Sequence, residues 1–233
     1  MSSMTLSSAQ DQTFVSCDIA TLEKCHKKFV TRLGKRNRSA LFYIIFNADL
    51  KWADYKNVRR LIESVYSNQK FDGLQDTCNA FDDFKKCFGT TEDEESFRRY
   101  QACTEDPLGL LLDSSHKLRS DVSLKSARGF VKIIAQFDFI CGAGLSVFAE
   151  NDDCMAQVFH NNRDELEKCQ DEFDAAMLTD DANICVNQML AADCYRKQFK
   201  ICGLQSGWFG CEYERTGTEA LYKQCTQNFC TGL

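Results

Sequence analysis

An all-α, disulfide-rich helical bundle is the fold class this chain predicts, and three observations carry it. Pro107 is the one proline in 233 residues, where average usage near 5% would give about a dozen. Inside a helix proline removes a hydrogen bond and clashes with the preceding turn, so its scarcity favours helices. Fourteen cysteines, an even number, are spread from Cys17 to Cys230, which suits an oxidising compartment. Apolar residues recur at steps of three and four in almost every segment, and no alternating stretch of strand length competes.

Residues 1–14 are small, polar and aperiodic, and read as a flexible tail. Helical faces follow: Leu22, Cys25, Phe29 and Leu33, then Val58, Leu61, Ile62 and Val65, then Leu74, Cys78, Phe81, Phe84 and Phe88. The second half repeats the theme with Phe130, Ile134, Phe137 and Cys141, with Leu166, Cys169, Phe173 and Met177, and with Leu221, Cys225 and Phe229. Thr91 to Glu94 and Thr216 to Glu219 fit the capping box that starts a helix. The run Phe42-Tyr43-Ile44-Ile45-Phe46 is apolar on more than one helical face and predicts a buried or cavity-facing helix. Loops are expected from Cys103 to about Arg119, around Pro107, and from Gly203 to Gly217, where closely spaced glycines disfavour helix.

The cysteines suggest an internal repeat. Leu22-Glu23-Lys24-Cys25 and Leu166-Glu167-Lys168-Cys169 are each followed four residues on by phenylalanine, and each is followed later by a C-x8-C pair. One half then contains Cys17, Cys25, Cys78, Cys87, Cys103 and Cys141. The other contains Cys154, Cys169, Cys185, Cys194, Cys211 and Cys225, with Cys202 and Cys230 left as an extra bridge and Cys211 as counterpart of Cys103. The expected organisation is two helical halves, 15–145 and 146–233, forming one domain or two related sub-bundles. Residues nine apart lie two and a half turns apart on a helix, about half a turn out of phase. Each C-x8-C pair should therefore tie one helix to two different neighbours. Zinc is the competing use of cysteine, but there is no C-x-x-C and there are only three histidines.

The pattern L-x-x-C-x3-F, the pair Cys185 to Cys194, and the run from Ile140-Cys141 to Asn151-Asp152-Asp153-Cys154 resemble the secreted cysteine-rich helical domains abundant in nematodes. The similarity extends over residues 17–230 and rests on cysteine spacing. Most of those domains have no assigned function. The resemblance implies an extracellular, non-enzymatic protein and carries over no binding residue.

The residues themselves point the same way. The expected location is secreted and extracellular. The opening MSSMTLSSAQDQ has no hydrophobic segment, so a signal is expected to have been removed. The most apolar stretch, Phe130 to Ala149, carries Lys132 and Asp138 and does not read as a membrane span. Asn37-Arg38-Ser39 is an acceptor for N-glycosylation. No catalytic set, metal site or cofactor is expected. A cysteine nucleophile needs a free thiol beside a base, and His26, His116 and His160 all read as surface residues.

What remains is binding. From Lys24 to Arg60 there are eleven Lys and Arg against two acids, and from Glu150 to Asp181 eleven acids against two bases, in a chain of net charge −6. Lys27, Lys28, Arg32, Lys35, Arg36 and Arg38 are the candidate site for an extracellular protein or a sulfated glycan. The alternative is that the two charged stretches attract each other within the fold. Nucleic acid is a poor partner for an acidic extracellular chain. The eighteen phenylalanines suggest an apolar pocket lined by Phe42, Phe46, Phe130, Phe137 and Phe148, which would make the protein a carrier of a hydrophobic small molecule or lipid.

Overall fold

Caps and periodicity set where the helices run. In the computed structural model, which describes residues 17–36, 50–89, 94–113, 115 and 117–231, Asp18 opens α1 (Ile19–Arg36) by accepting from the Thr21 amide at 3.2 Å. A long helix, α2 (Tyr55–Lys86), follows, then α3 (Glu94–Thr104) with Glu94 and Glu95 in its first turn. Asp106 caps the short α4 (Pro107–Leu111), with Pro107 in the first turn where its missing amide costs nothing. Ser123 caps α5 (Leu124–Cys141). The second half contains α6 (Leu145–Glu150), α7 (Asp152–Asn161), α8 (Arg163–Thr179), α9 (Ile184–Phe199) and α10 (Leu204–Glu219). Among the described residues there is no strand, only one antiparallel bridge between Leu112 and Leu118. The all-α, disulfide-rich bundle is the fold of this protein.

Helix α2 is two helical segments, 55–69 and 71–86, joined at Lys70, whose φ of 54° lies in the left-handed region that a lysine rarely adopts. The break frees the Phe71 amide, and Asp152 of α7 accepts from it at 3.3 Å. Asp153 pairs with the Lys70 ammonium at the same place.

All fourteen cysteines are paired. In the first half the bridges are Cys17–Cys103, Cys25–Cys87 and Cys78–Cys141. In the second they are Cys154–Cys202, Cys169–Cys194, Cys185–Cys225 and Cys211–Cys230. The C-x8-C pairs behave as their phase requires: α2 is tied to α1 through Cys87 and to α5 through Cys78, and α9 to α8 through Cys194 and to the 3-10 turn Lys223–Cys225 through Cys185. Leaving out Cys211 and Cys230, the six cysteines of each half pair in one order, first to fifth, second to fourth, third to sixth. The counterpart of Cys103 is thus Cys202, not Cys211, and the additional bridge is Cys211–Cys230, not Cys202–Cys230.

No bridge crosses from one half to the other, yet both share one core. Ring pairs recur through it: Phe29 against Phe84 and Phe81 against Phe137 in the first half, and Tyr66 against Phe148 and Phe159 across the two halves, with Phe159 against Phe199 and Tyr213 in the second. Helix α7 packs on α2 and α10 packs on α5.

Three expectations at the C-terminal end are corrected. The stretch Gly203 to Gly217 is helix α10, not a loop. Its glycines serve close approach: a Cβ at Gly210 would lie 2.6 Å from the Phe199 ring, and one at Gly217 would lie 2.7 Å from the Gln136 side chain. Thr216 to Glu219 is the last turn of that helix, not a start. Leu221 falls in the turn that ends α10, Cys225 on a 3-10 turn and Phe229 in an irregular segment rather than together on a helix, two bridges holding Cys225 and Cys230 against α9 and α10. The segment from Cys103 to Arg119 is a loop only in part, since it holds the end of α3, then α4, and the Leu112–Leu118 bridge. Thr91 and the run Phe42 to Phe46 lie outside the described residues.

Candidate functional site

A half-open groove of about 710 Å³ lies where α3, α5 and the end of α10 diverge. Its floor follows from helix phase. On α5 the face one step round from the buried Phe130 and Phe137 presents Ile134, Ala135 and Asp138. On α3, Phe97, Tyr100 and Thr104 recur at steps of three and four. Tyr100 is anchored against Phe88 at 5.5 Å and Phe84 at 6.3 Å, and burial pushes its phenol well above the usual range. Phe97 stands at the lip, 49% exposed. Thr216, Ala220 and Lys223 close the far side.

The groove is rimmed by charge. Lys85 pairs with Asp138 and lies 4.6 Å from the Phe81 ring centroid. Glu219 is held by Arg215 on its own helix, whereas Lys223 has no carboxylate partner among the described residues. An apolar floor with a few charged groups at one margin suits an amphiphilic ligand: burial of its apolar part supplies affinity, and the charges select its head.

The phenylalanines expected to line a pocket are elsewhere. Phe130, Phe137 and Phe148 are fully buried, packed against Trp52, Phe81 and Tyr66 respectively. They fill the core; Phe42 and Phe46 lie outside the described residues.

Of the basic candidates, Lys27, Lys28 and Lys35 stand exposed with Lys24 on the outer face of α1. Arg32 does not join them, because its guanidinium pairs with Asp83 of α2. The side chain of Arg36 and all of Arg38 and Asn37 lie outside the described residues. Other cations of the same block turn inward to the acidic stretch: Lys56 meets Asp171 at 2.8 Å and Arg60 meets Glu167 at 2.6 Å. Charge segregation along the chain is therefore used partly to dock α8 on α2.

The sequence reading missed a buried polar cluster where α2, α5 and α10 meet. Arg59 and Glu63 (side chains 6% and 6% exposed) and Lys132 and Glu214 (7% and 0%) form two ion pairs. Gln136 links them, accepting from Arg59 and donating to Glu214 at 2.9 Å, and the Tyr213 hydroxyl donates to Glu63 at 3.3 Å. Burial pushes the Glu63 carboxyl up to about 7 against the pull of Arg59. Burial also lowers Lys132, which Glu214 opposes. Spacing along the chain held no signal for this cluster, because its members come from three helices. His26 is likewise buried, at 3% exposed, rather than on the surface. It follows Leu22 by four and precedes Phe29 by three, so it belongs to the inward face of α1.

No group of three or more His, Cys, Asp or Glu among the described residues could hold a metal ion, and no helix there is long and apolar enough to cross a membrane. No family model, curated protein or solved structure matches the chain.

Proposed function

We propose that this is an extracellular binding protein that holds an amphiphilic small molecule in the groove between α3, α5 and α10. The observation that carries the reading is the groove itself: about 710 Å³ with a largely apolar floor and a charged rim, on a scaffold whose every cysteine is bridged. Its volume falls in the roughly 300–1,000 Å³ range of small-molecule sites. Seven bridges support the extracellular setting, since such bonds persist in oxidising compartments. Asn37 as a glycan acceptor belongs to the same reading.

The test is displacement of a fluorescent fatty acid. The wild-type chain is expected to bind it, and Ala135→Trp, which fills the floor, is expected to abolish binding while leaving the thermal transition in place. Wild-type affinity in that variant, or no binding by the parent, would sink the reading. A second reading, contact with a sulfated glycan, is supported by the exposed lysines of α1. Retention on heparin that falls steeply with salt and disappears on reversing Lys24, Lys28 and Lys35 to glutamate is its expected signature, because exposed charges are screened over about 8 Å at physiological ionic strength.

The common bridge order of the two halves supports a further part of this proposal, that the chain arose by duplication of one six-cysteine helical unit. The bridge Cys211–Cys230 is then an addition to the second copy.

A further inference from the structure

A second concavity, of about 370 Å³, lies where α1 meets the residues that lead into α2 and the turn before α5. Two buried nitrogens in its lining have no hydrogen-bond partner among the described residues: Nε2 of His26 and Nη1 of Arg119. Each has a definite cause. Arg119 points Nε and Nη2 at the two oxygens of Asp121, at 3.0 and 2.7 Å, and its guanidinium carbon lies 5.9 Å from the Trp52 ring centroid. That grip fixes the plane of the fork and leaves the third nitrogen turned away from its carboxylate. His26 projects from the inward face of α1, edge-on to Phe130 at 6.2 Å, and burial lowers its pKa to about 4, so the ring is neutral at ordinary pH.

A buried donor without a partner costs about 1–3 kcal/mol, and such groups are few in folded proteins. Nη1 of Arg119 is such a donor, and the neutral His26 ring supplies a second when its proton sits on Nε2. A guanidinium nitrogen can only donate, so the group that satisfies it must bring lone pairs, and an oxyanion brings most. The local charge agrees. Lys27 and Lys51 stand exposed at the mouth, opposed by Glu23, while Asp121 is already engaged by Arg119. Beside these groups the wall is apolar, built from Leu50, Val122 and the edge of the indole.

We propose that this concavity binds a small organic anion, its oxyanion on Arg119 and His26 and its apolar body against Leu50, Val122 and Trp52. The site is separate from the α3–α5–α10 groove and does not depend on that groove having a ligand. Lys27 is one of the residues singled out from the sequence for anion binding. Here it acts at the mouth of a formed site rather than as one charge of a helix face.

The two tryptophans make the test direct, because Trp208 packs against Phe139 elsewhere and serves as internal control. Benzoate, phenyl sulfate and inorganic sulfate would each be titrated into the full, oxidised chain while the His26 imidazole and both indole resonances are followed by NMR. The expected result is that benzoate or phenyl sulfate shifts His26 and Trp52 and leaves Trp208 in place. Arg119→Gln should weaken that binding at least tenfold, and the exposed double variant Lys27→Glu with Lys51→Glu, which cannot disturb the core, should weaken it as well. The proposal is overturned if no probe shifts His26 at millimolar concentration, or if the shifts survive in both variants. It is also overturned if inorganic sulfate shifts both residues as strongly as the organic anions, since the apolar wall would then have no part in binding.

Discussion

Glu63 and His26 show how burial sets the chemistry of a side chain regardless of its type. Both are almost wholly enclosed, yet their titrations move in opposite senses. Glu63 rises from 4.5 to about 7, because its charged form loses hydration. The folded chain then holds a proton there that the unfolded chain has released, so its stabilising contribution is full below pH 4.5 and is lost as pH rises through about 7. His26 falls from 6.5 to about 4, because its charged form is again the one disfavoured. Its contribution is full above pH 6.5 and is lost as pH falls through about 4. In the overlap the two oppose each other. Relative to the parent, Glu63→Gln is therefore expected to gain stability as pH rises from 4.5 to 7, with a slope of at most about 1.4 kcal/mol per pH unit. His26→Gln is expected to lose relative stability between pH 4 and 6.5. Urea unfolding at a series of pH values measures both, and parallel curves for parent and variants would refute the assignment.

Helix α10 is where element and residue preferences part company. Glycine weakens a helix by about 1 kcal/mol relative to alanine, and this helix contains Gly207, Gly210 and Gly217. Packing explains two of them. A Cβ at Gly210 would meet the Phe199 ring at 2.6 Å and the Tyr195 carbonyl at 2.9 Å, and one at Gly217 would meet Gln136 and Lys132 within 2.9 Å. At Gly207 the nearest atom is 3.4 Å away, an ordinary contact. Gly207→Ala is thus expected to raise stability by up to about 1 kcal/mol. Gly210→Ala and Gly217→Ala should each lower it by about 1–3 kcal/mol, the usual cost of overpacking. Thermal or denaturant unfolding of the three variants checks the ranking; a gain at Gly210 would show that α10 can slide outward at little cost. In α2 the compromise is of another kind. Lys70 accepts an unfavourable backbone conformation so that α7 can cap the freed Phe71 amide and pair with its ammonium.

At the scale of the whole molecule, covalent and non-covalent bonding divide the work. Bridges close only within 17–141 and within 154–230. What joins the halves is the shared hydrophobic core and the buried polar cluster between α2, α5 and α10. Removing one partner of a buried pair costs about 3–5 kcal/mol because the other is left uncompensated, so the cluster penalises separation strongly. Cleavage at an engineered protease site in the turn 142–144, between α5 and α6, is expected to leave two fragments that co-elute in native buffer and part in urea without reductant. Separation in native buffer would show that the shared core does not hold the molecule together. The contact between the halves is direct: the rings of Tyr66 and Phe159 that pack on each other come from opposite sides of that turn.

The sequence by itself determined the all-α class, the positions of α1, α2, α5 and α8, the use of cysteine for bridges, and the division of those bridges into two sets. Each of these rests on local periodicity or on residue chemistry, which a linear reading retains. Only the tertiary structure decided the bridge partners, the helical state of the glycine-rich stretch, the groove, and the clusters around Glu63 and Arg119. The reason is the same in every case. Gly210 is readable as a packing residue only once Phe199 lies against it, and Phe137 can be assigned to core rather than pocket only when Phe81 fills the space beside it. Glu63 and Tyr213 lie 150 residues apart, and the hydrogen bonds and charges they share with Gln136 and Glu214 acquire meaning from a distance in space that no spacing along the chain encodes. The exposed lysines of α1 were legible as a charged face, but whether Arg32 belonged to it depended on Asp83 of a neighbouring helix.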